Sequence, residues 1–87
     1  MIIIGDRISM ADTPYVAASR WKYAARKVGN DLDALFWEGY MTGILHARDG
    51  FDLTSYWKTE AIVGSERGSW KARGVLEGYT AGEAYYR

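Results

Sequence analysis

The chain of 87 residues lacks cysteine, has a single proline and a single histidine, and carries no long apolar run. Without cysteine it cannot form disulfides or a cysteine-ligated zinc site, which is compatible with a cytosolic setting. A helix that crosses a bilayer needs about 20 apolar residues, and the apolar start Met1–Ile4 ends at Gly5. That start also lacks the order of a secretory signal, in which a basic stretch comes first. We expect a cytoplasmic protein without membrane contact.

The charge is balanced, because eleven basic and eleven acidic residues give a net charge of zero. Binders of nucleic acid usually carry a basic excess, and a DNA mimic would need an acidic one. Aromatic residues are abundant, with four Trp, seven Tyr and two Phe. Since a chain this short buries only about 60% of its unfolded surface, dense aromatic packing and self-association are the remaining routes to stability. The composition favours protein partners, including a second copy in a homodimer.

The periodicity of the apolar residues predicts a mainly α protein, a small helical bundle of three to four helices. We expect one domain over residues 1–87, with a short N-terminal extended arm or strand at 1–11 and a helical body at 12–87. Asp12 or Thr13 can cap the first helix.

The first helix should begin at Pro14, run to about Lys27 or Val28 and end at Gly29. Its small apolar residues share an arc that would admit a close neighbour, and Trp21 is the one large member of that arc.

The second helix is predicted from about Leu32 to Ala47, with Asn30 or Asp31 as its cap and Gly50 at its end. It is apolar nearly all round, which is typical of a central helix. A chain this short offers few elements to cover it, so part of it could face a second chain.

Residues 51–63 are ambiguous, because their β-branched and aromatic content permits a strand as well as a short helix. We favour the helix. A last helix should follow from about Glu66 to Tyr85.

A glycine pattern recurs on the second and last helices: residues 38–43 read EGYMTG and residues 77–82 read EGYTAG. Each glycine inside a helix costs about 1 kcal/mol relative to alanine, so close approach of another helix is the natural explanation. That neighbour could belong to the same chain, to a second copy or to a partner; alternatively, Gly74 marks a break in the last helix. The helix-packing glycines are predicted to be Gly39, Gly43, Gly74, Gly78 and Gly82.

The segment Gly39-Tyr40-x-x-Gly43, followed later by a helix with Trp70, resembles the ribosome modulation factor family of small two-helix bacterial proteins. The resemblance covers a fraction of the chain and implies association with the ribosome or RNA. The sequence departs from that family in charge, since the family is basic and this chain is neutral.

His46, with Asp49 and Asp52 nearby in sequence, could form a metal site or an acid–base pair if the loop folded back. A lone histidine near a helix end more often compensates the helix dipole. The segment Gly64–Ser69 precedes a helix and could hold an anion, but it lacks the spacing of a phosphate-binding loop. We therefore expect a protein that is not an enzyme and that needs no cofactor or metal.

The first helix carries a basic cluster without acidic neighbours, and an exposed tyrosine lies among the cations. Such a face can bind an acidic protein patch or phosphates and a base; it can also be a solvated outer surface. The predicted partner-binding residues are Arg20, Lys22, Tyr23, Arg26, Lys27, Trp70 and Tyr85.

These features favour a non-enzymatic protein–protein interaction module that acts as an inhibitor or adaptor by steric binding. By analogy, the protein could be of a phage or mobile-element type. Small proteins of that type, such as anti-CRISPR inhibitors, block a host enzyme or a defence complex and often have these features. The alternative is a nucleic-acid or ribosome-associated helical module that uses the basic face of the first helix.

Overall fold

A computed structural model describes residues 13–52 and 54–86. These residues form four helices, α1 (Pro14–Lys27), α2 (Asp31–Asp49), α3 (Thr54–Val63) and α4 (Glu66–Tyr86), and contain no strand. The predicted small, mainly α bundle is confirmed, with four helices. None of the helices in the described part of the chain is both long and apolar enough to cross a membrane. The arm or strand predicted over residues 1–11 lies outside the described residues.

Local sequence signals set the ends of α1. The Thr13 hydroxyl accepts a hydrogen bond from the Val16 amide at 3.2 Å, which caps the first turn. Pro14 occupies the first helical position, where its missing N–H costs nothing. At the other end Gly29 adopts a φ of 76°, the left-handed conformation that favours glycine.

The ends of α2 follow the same logic. The Asn30 side-chain oxygen accepts from the Asp33 amide at 3.1 Å, and Gly50 closes the helix with a φ of 79°. Continuing to Asp49, α2 extends two residues beyond the predicted end at Ala47.

The short helix favoured within residues 51–63 is present as α3, Thr54–Val63. At the start of α4 the Ser65 hydroxyl accepts from the Gly68 amide at 3.1 Å. Ser69 Oγ lies within hydrogen-bonding distance of the Glu60 carbonyl (3.4 Å), which joins α4 to α3.

The helices lie side by side in the order α1, α2, α4, α3. Helix α2 packs between α1 and α4, α3 packs on the far side of α4, and α1 makes only a minor contact with α4. The Cα atoms span 47 × 34 × 13 Å. Four helices in a row at interaxial distances of 8–10 Å span about 30 Å, which agrees with the middle dimension. The bundle is therefore a single layer with two broad faces.

Helices α2 and α4 run parallel, because their contacts advance together along both sequences. Gly39 lies against the backbone of Lys71, and Gly43, one turn later, lies against the backbone of Val75. The ion pair of Asp31 with Arg67 (3.7 Å) places the first turns of the two helices beside each other. The end of α2 and the start of α4 therefore lie at opposite ends of the bundle, and α3 lies between them in the chain.

The five predicted packing glycines all lie at this contact between α2 and α4. A Cβ atom on any of them would collide with the opposite helix, four of them with backbone carbonyl groups. The glycine strips therefore pack against each other within one chain.

The buried apolar residues are small. Ile44 and Val75 are the largest fully buried side chains, and the rest of the core is alanine, with Ala18, Ala25, Ala34, Ala47 and Ala72. Trp21 is 59% exposed although the predicted arc of α1 included it. A single layer offers no second layer to cover large side chains, and every aromatic residue in the described part of the chain is half-buried or exposed.

Candidate interaction surface

A groove of about 470 Å³ crosses three helices at one end of the bundle. We call it the aromatic groove; it is lined by one residue of α1, three of α2 and one of α4, which are Trp21, Asp33, Phe36, Trp37 and Trp70. Its lining therefore combines three indole rings, one phenyl ring and one carboxylate.

Helix periodicity explains how α2 supplies three of these residues. Asp33, Phe36 and Trp37 are separated by three and four positions, so they share one stripe of the helix. The stripe continues one turn later at Tyr40, whose ring lies 5.1 Å from that of Trp37. The aromatic groove is therefore an exposed part of the apolar surface of α2, from which a central position of this helix was predicted.

The rings of the aromatic groove contact one another across helices. The Trp21 ring of α1 stacks on Trp37 of α2, with centroids 6.1 Å apart and an interplanar angle of 20°. Phe36 makes an edge contact with Trp37 at 5.0 Å and another with Trp70 of α4 at 6.3 Å. These contacts restrict the rings before any ligand arrives, which lowers the entropy cost of binding to them.

Two cations of this chain lie over its own aromatic rings, and one of those rings, Trp70, lines the aromatic groove. The Arg73 guanidinium carbon lies 5.7 Å from the centroid of Trp70, and Lys27 Nζ lies 5.6 Å from the centroid of Tyr23. Both distances fall within the range of cation–π attraction.

A second feature joins the same three helices through charge. The carboxylate of Glu38 in α2 lies 3.6 Å from Lys22 and 4.0 Å from Arg26, both of α1, and 3.7 Å from Lys71 of α4. We call this the Glu38 ion cluster. Three cations and one anion leave it with two net positive charges.

The predicted basic face of α1 is thereby divided. Lys22 and Arg26 belong to the Glu38 ion cluster, and they also line a shallow groove of about 210 Å³ with Tyr23. Arg20 is exposed, and Lys27 lies over the ring of Tyr23, which is 66% exposed. Part of the basic face is thus engaged in holding α1 to α2.

The two aromatic residues predicted on α4 do not form one site. Trp70 lines the aromatic groove, whereas Tyr85 lies fifteen residues later, about 22 Å along the helix. Tyr85 is 51% exposed and makes an edge contact with Tyr86 at 4.9 Å.

His46 lies in the last turn of α2, and its ring makes an edge contact with Phe51 at 6.3 Å. Among residues 13–52 and 54–86, no three His, Cys, Asp or Glu side chains are close enough to hold a metal ion together. At the start of α4, Ser65 already accepts from an amide that an anion would need.

Three ionisable groups among the described residues have displaced pKa values, namely Tyr40, Arg48 and Asp49. Burial, with a smaller contribution from the charge of Glu77, raises the pKa of Tyr40. The pKa of the exposed Asp49 is lowered by its hydrogen bond with Arg48, whose Nε lies 2.9 Å from the carboxylate.

Sequence reasoning missed four residues of the aromatic groove: Trp21, Asp33, Phe36 and Trp37. It assigned Trp21 and the α2 aromatics to packing, because periodicity marks an apolar stripe without saying what covers it. A usable signal was present, since four tryptophans are many for an 87-residue chain that buries little surface.

No protein-family model, no curated protein and no solved structure shows a significant match to this chain. The resemblance to ribosome modulation factors thus rests on Gly39, Tyr40, Gly43 and Trp70. The first and third of these belong to the glycine contact between α2 and α4.

Proposed function

We propose that this protein is a non-enzymatic protein-binding module, an inhibitor or adaptor that acts by steric contact with a partner protein. The observation that carries the proposal is the single layer of helices, which leaves large apolar side chains uncovered. Nine such side chains among the described residues are at least 43% exposed: Trp21, Tyr23, Val28, Phe51, Tyr56, Ile62, Val63, Tyr85 and Tyr86.

Exposure of this kind is typical of binding surfaces. Tryptophan and tyrosine are enriched at protein interfaces and dominate their energetic hot spots. The chain has no net charge, so the surface lacks the long-range field that would draw in a polyanion. Both points favour a protein as the partner.

Site-directed photocrosslinking in extracts of the native host tests the proposal. The crosslinker p-benzoylphenylalanine would replace Trp21 in one variant and Thr80, an exposed polar residue of α4, in a control. We expect a discrete crosslinked protein from position 21 that unlabelled wild-type protein competes away. Equal, non-competable labelling from both positions would contradict the proposal.

A homodimer is the second part of the proposal. The exposed apolar side chains support it, whereas the glycine strips are already used within the chain. Light scattering at several protein concentrations should show that the average molar mass rises with concentration. A strict monomer at high micromolar concentration would contradict the homodimer.

The alternative function is binding of nucleic acid or the ribosome through the basic face of α1. It is favoured by the positive excess of the Glu38 ion cluster beside the exposed Tyr23. The charge reversals Arg26→Glu and Lys27→Glu should then abolish a salt-sensitive binding of RNA or DNA. Absence of such binding in the wild-type protein would dismiss this alternative.

A further inference from the structure

We propose that the aromatic groove binds an arginine side chain of the partner protein, with the guanidinium held over the indole rings and paired with Asp33. This inference rests on the proposed protein-binding function and names the chemistry of the contact. The groove is assigned to a cationic occupant because its lining combines aromatic faces with a carboxylate and contains no cation.

The aromatic part of the lining suits a flat cation. The face of an indole ring carries negative electrostatic potential and attracts a cation within about 6 Å of its centroid. The guanidinium carbon of Arg73 lies 5.7 Å from the centroid of Trp70. This contact within the chain is an example of a guanidinium placed over an indole ring. Arg73 does not line the groove.

The carboxylate determines the sign of the ligand. Asp33 lies in the first turn of α2, where its backbone N–H donates to the Asn30 side-chain oxygen, and one of its carboxylate oxygens accepts from Asn30 Nδ2 at 3.0 Å. A carboxylate has about four acceptor positions, so a guanidinium can still pair with this group. Asp31, two residues earlier, forms an ion pair of this kind with the guanidinium of Arg67 at 3.7 Å.

Arginine fits the groove better than lysine. A guanidinium is planar, weakly hydrated and able to stack on an aromatic face while it donates to a carboxylate, whereas an ammonium is compact and strongly hydrated. The volume of about 470 Å³ also leaves room for the apolar stem of the side chain against Phe36 and Trp37.

The test uses two blocked tripeptides, Gly-Arg-Gly and its citrulline counterpart, which has nearly the same shape without the charge. Binding is followed by the indole N–H signals in NMR spectra of the full chain. Three of the four tryptophans line the groove, so Trp57 of α3 is an internal control. We expect the three groove signals to shift and saturate at concentrations on the order of millimolar, as for one cationic contact at an open surface.

The citrulline peptide should bind at least about tenfold more weakly, since it lacks the charge that pairs with the rings and the carboxylate. Asp33→Asn should weaken arginine binding several-fold. Asp31→Asn, which removes the same charge from a residue outside the groove, should have a much smaller effect. Trp21→Leu should also weaken binding; if that variant does not fold, Asp33→Asn decides the question.

Equal binding of both peptides, an equal shift of Trp57, or no effect of Asp33→Asn would overturn the assignment. It would also be overturned if the groove signals shifted with protein concentration alone, because a second copy would then occupy the groove. The crosslinking at position 21 separates the two proposals. A captured partner that binds Asp33→Asn as well as wild type refutes the arginine site, whereas arginine binding without any captured partner refutes the proposed function.

Discussion

Gly74 of α4 lies against the backbone carbonyl of Phe36 in α2, so closely that a Cβ atom on Gly74 would overlap with that oxygen. Gly78 stands in the same relation to Tyr40, four residues further along both helices. Carbonyl oxygens that approach glycine Cα atoms at helix contacts contribute weak C–H···O attraction. The contact therefore joins two backbones directly, without side chains between them.

Gly78→Ala should destabilise the protein by about 3 kcal/mol, near the upper end for overpacking, because the new methyl group meets backbone atoms of Tyr40 that cannot rotate away. This loss would outweigh the gain of about 1 kcal/mol from placing alanine in a helix. Urea denaturation measures the difference. Gly68→Ala is the matched control in the same helix, since its nearest neighbour is the Ser65 hydroxyl at 3.3 Å. It should change stability by less than about 1 kcal/mol, and equal losses in both variants would contradict the close contact.

Glu38→Gln should weaken the association of α1 with the rest of the bundle, because Lys22, Arg26 and Lys71 lose their shared carboxylate. The expected loss is about 1 kcal/mol at low salt, the upper range for partly exposed ion pairs. It should shrink at high salt, where charges are screened. A double-mutant cycle with Lys22→Gln measures the coupling, and a loss that does not depend on salt would point to packing instead.

Stability should fall as the pH rises above about 10, and Tyr40 should account for part of the fall. The pKa of Tyr40 is raised from its ordinary value of 10.0 in the folded state. The unfolded chain therefore loses its proton first, and ionisation favours unfolding from that pH upward. Tyr40→Phe should flatten the pH dependence of the free energy of unfolding at pH 9–11. Glu77→Gln should flatten it less, because burial is the larger cause.

Asn30→Ala should cost about 1 kcal/mol, since the Asn30 side chain accepts from the Asp33 amide at the start of α2. Thermal unfolding followed by circular dichroism measures the change. Asn30→Asp keeps an accepting oxygen and should retain most of the stability. If both substitutions cost the same, the cap is not the reason.

Much of the helix map follows from short-range chemistry and could be predicted. Thr13 and Asn30 cap the two helices that they precede, and Gly29 and Gly50 end those helices in left-handed conformations. A short helix was also predicted within the ambiguous segment after Gly50, and α3 is that helix. Signals of this kind act within a few residues, so they do not depend on how the helices are arranged.

The candidate site depended on long-range placement. The sequence indicated that Trp21 belongs to an apolar arc and that α2 is apolar nearly all round. It did not indicate that the helices form one layer, which leaves Trp21 59% exposed and brings it to Trp37 and Trp70. The carboxylate of Glu38 likewise gathers cations from α1 and α4 that no spacing in the sequence relates.

The sequence by itself determined where the helices begin and end and which positions permit a close helix contact, because caps, turns and glycine spacing are local properties. The tertiary structure decided that the glycine strips of α2 and α4 face each other within one chain and run parallel. It also brought four aromatic residues from three helices together in one groove. Both outcomes depend on the rotation and order of whole helices, which the packing of distant residues fixes together.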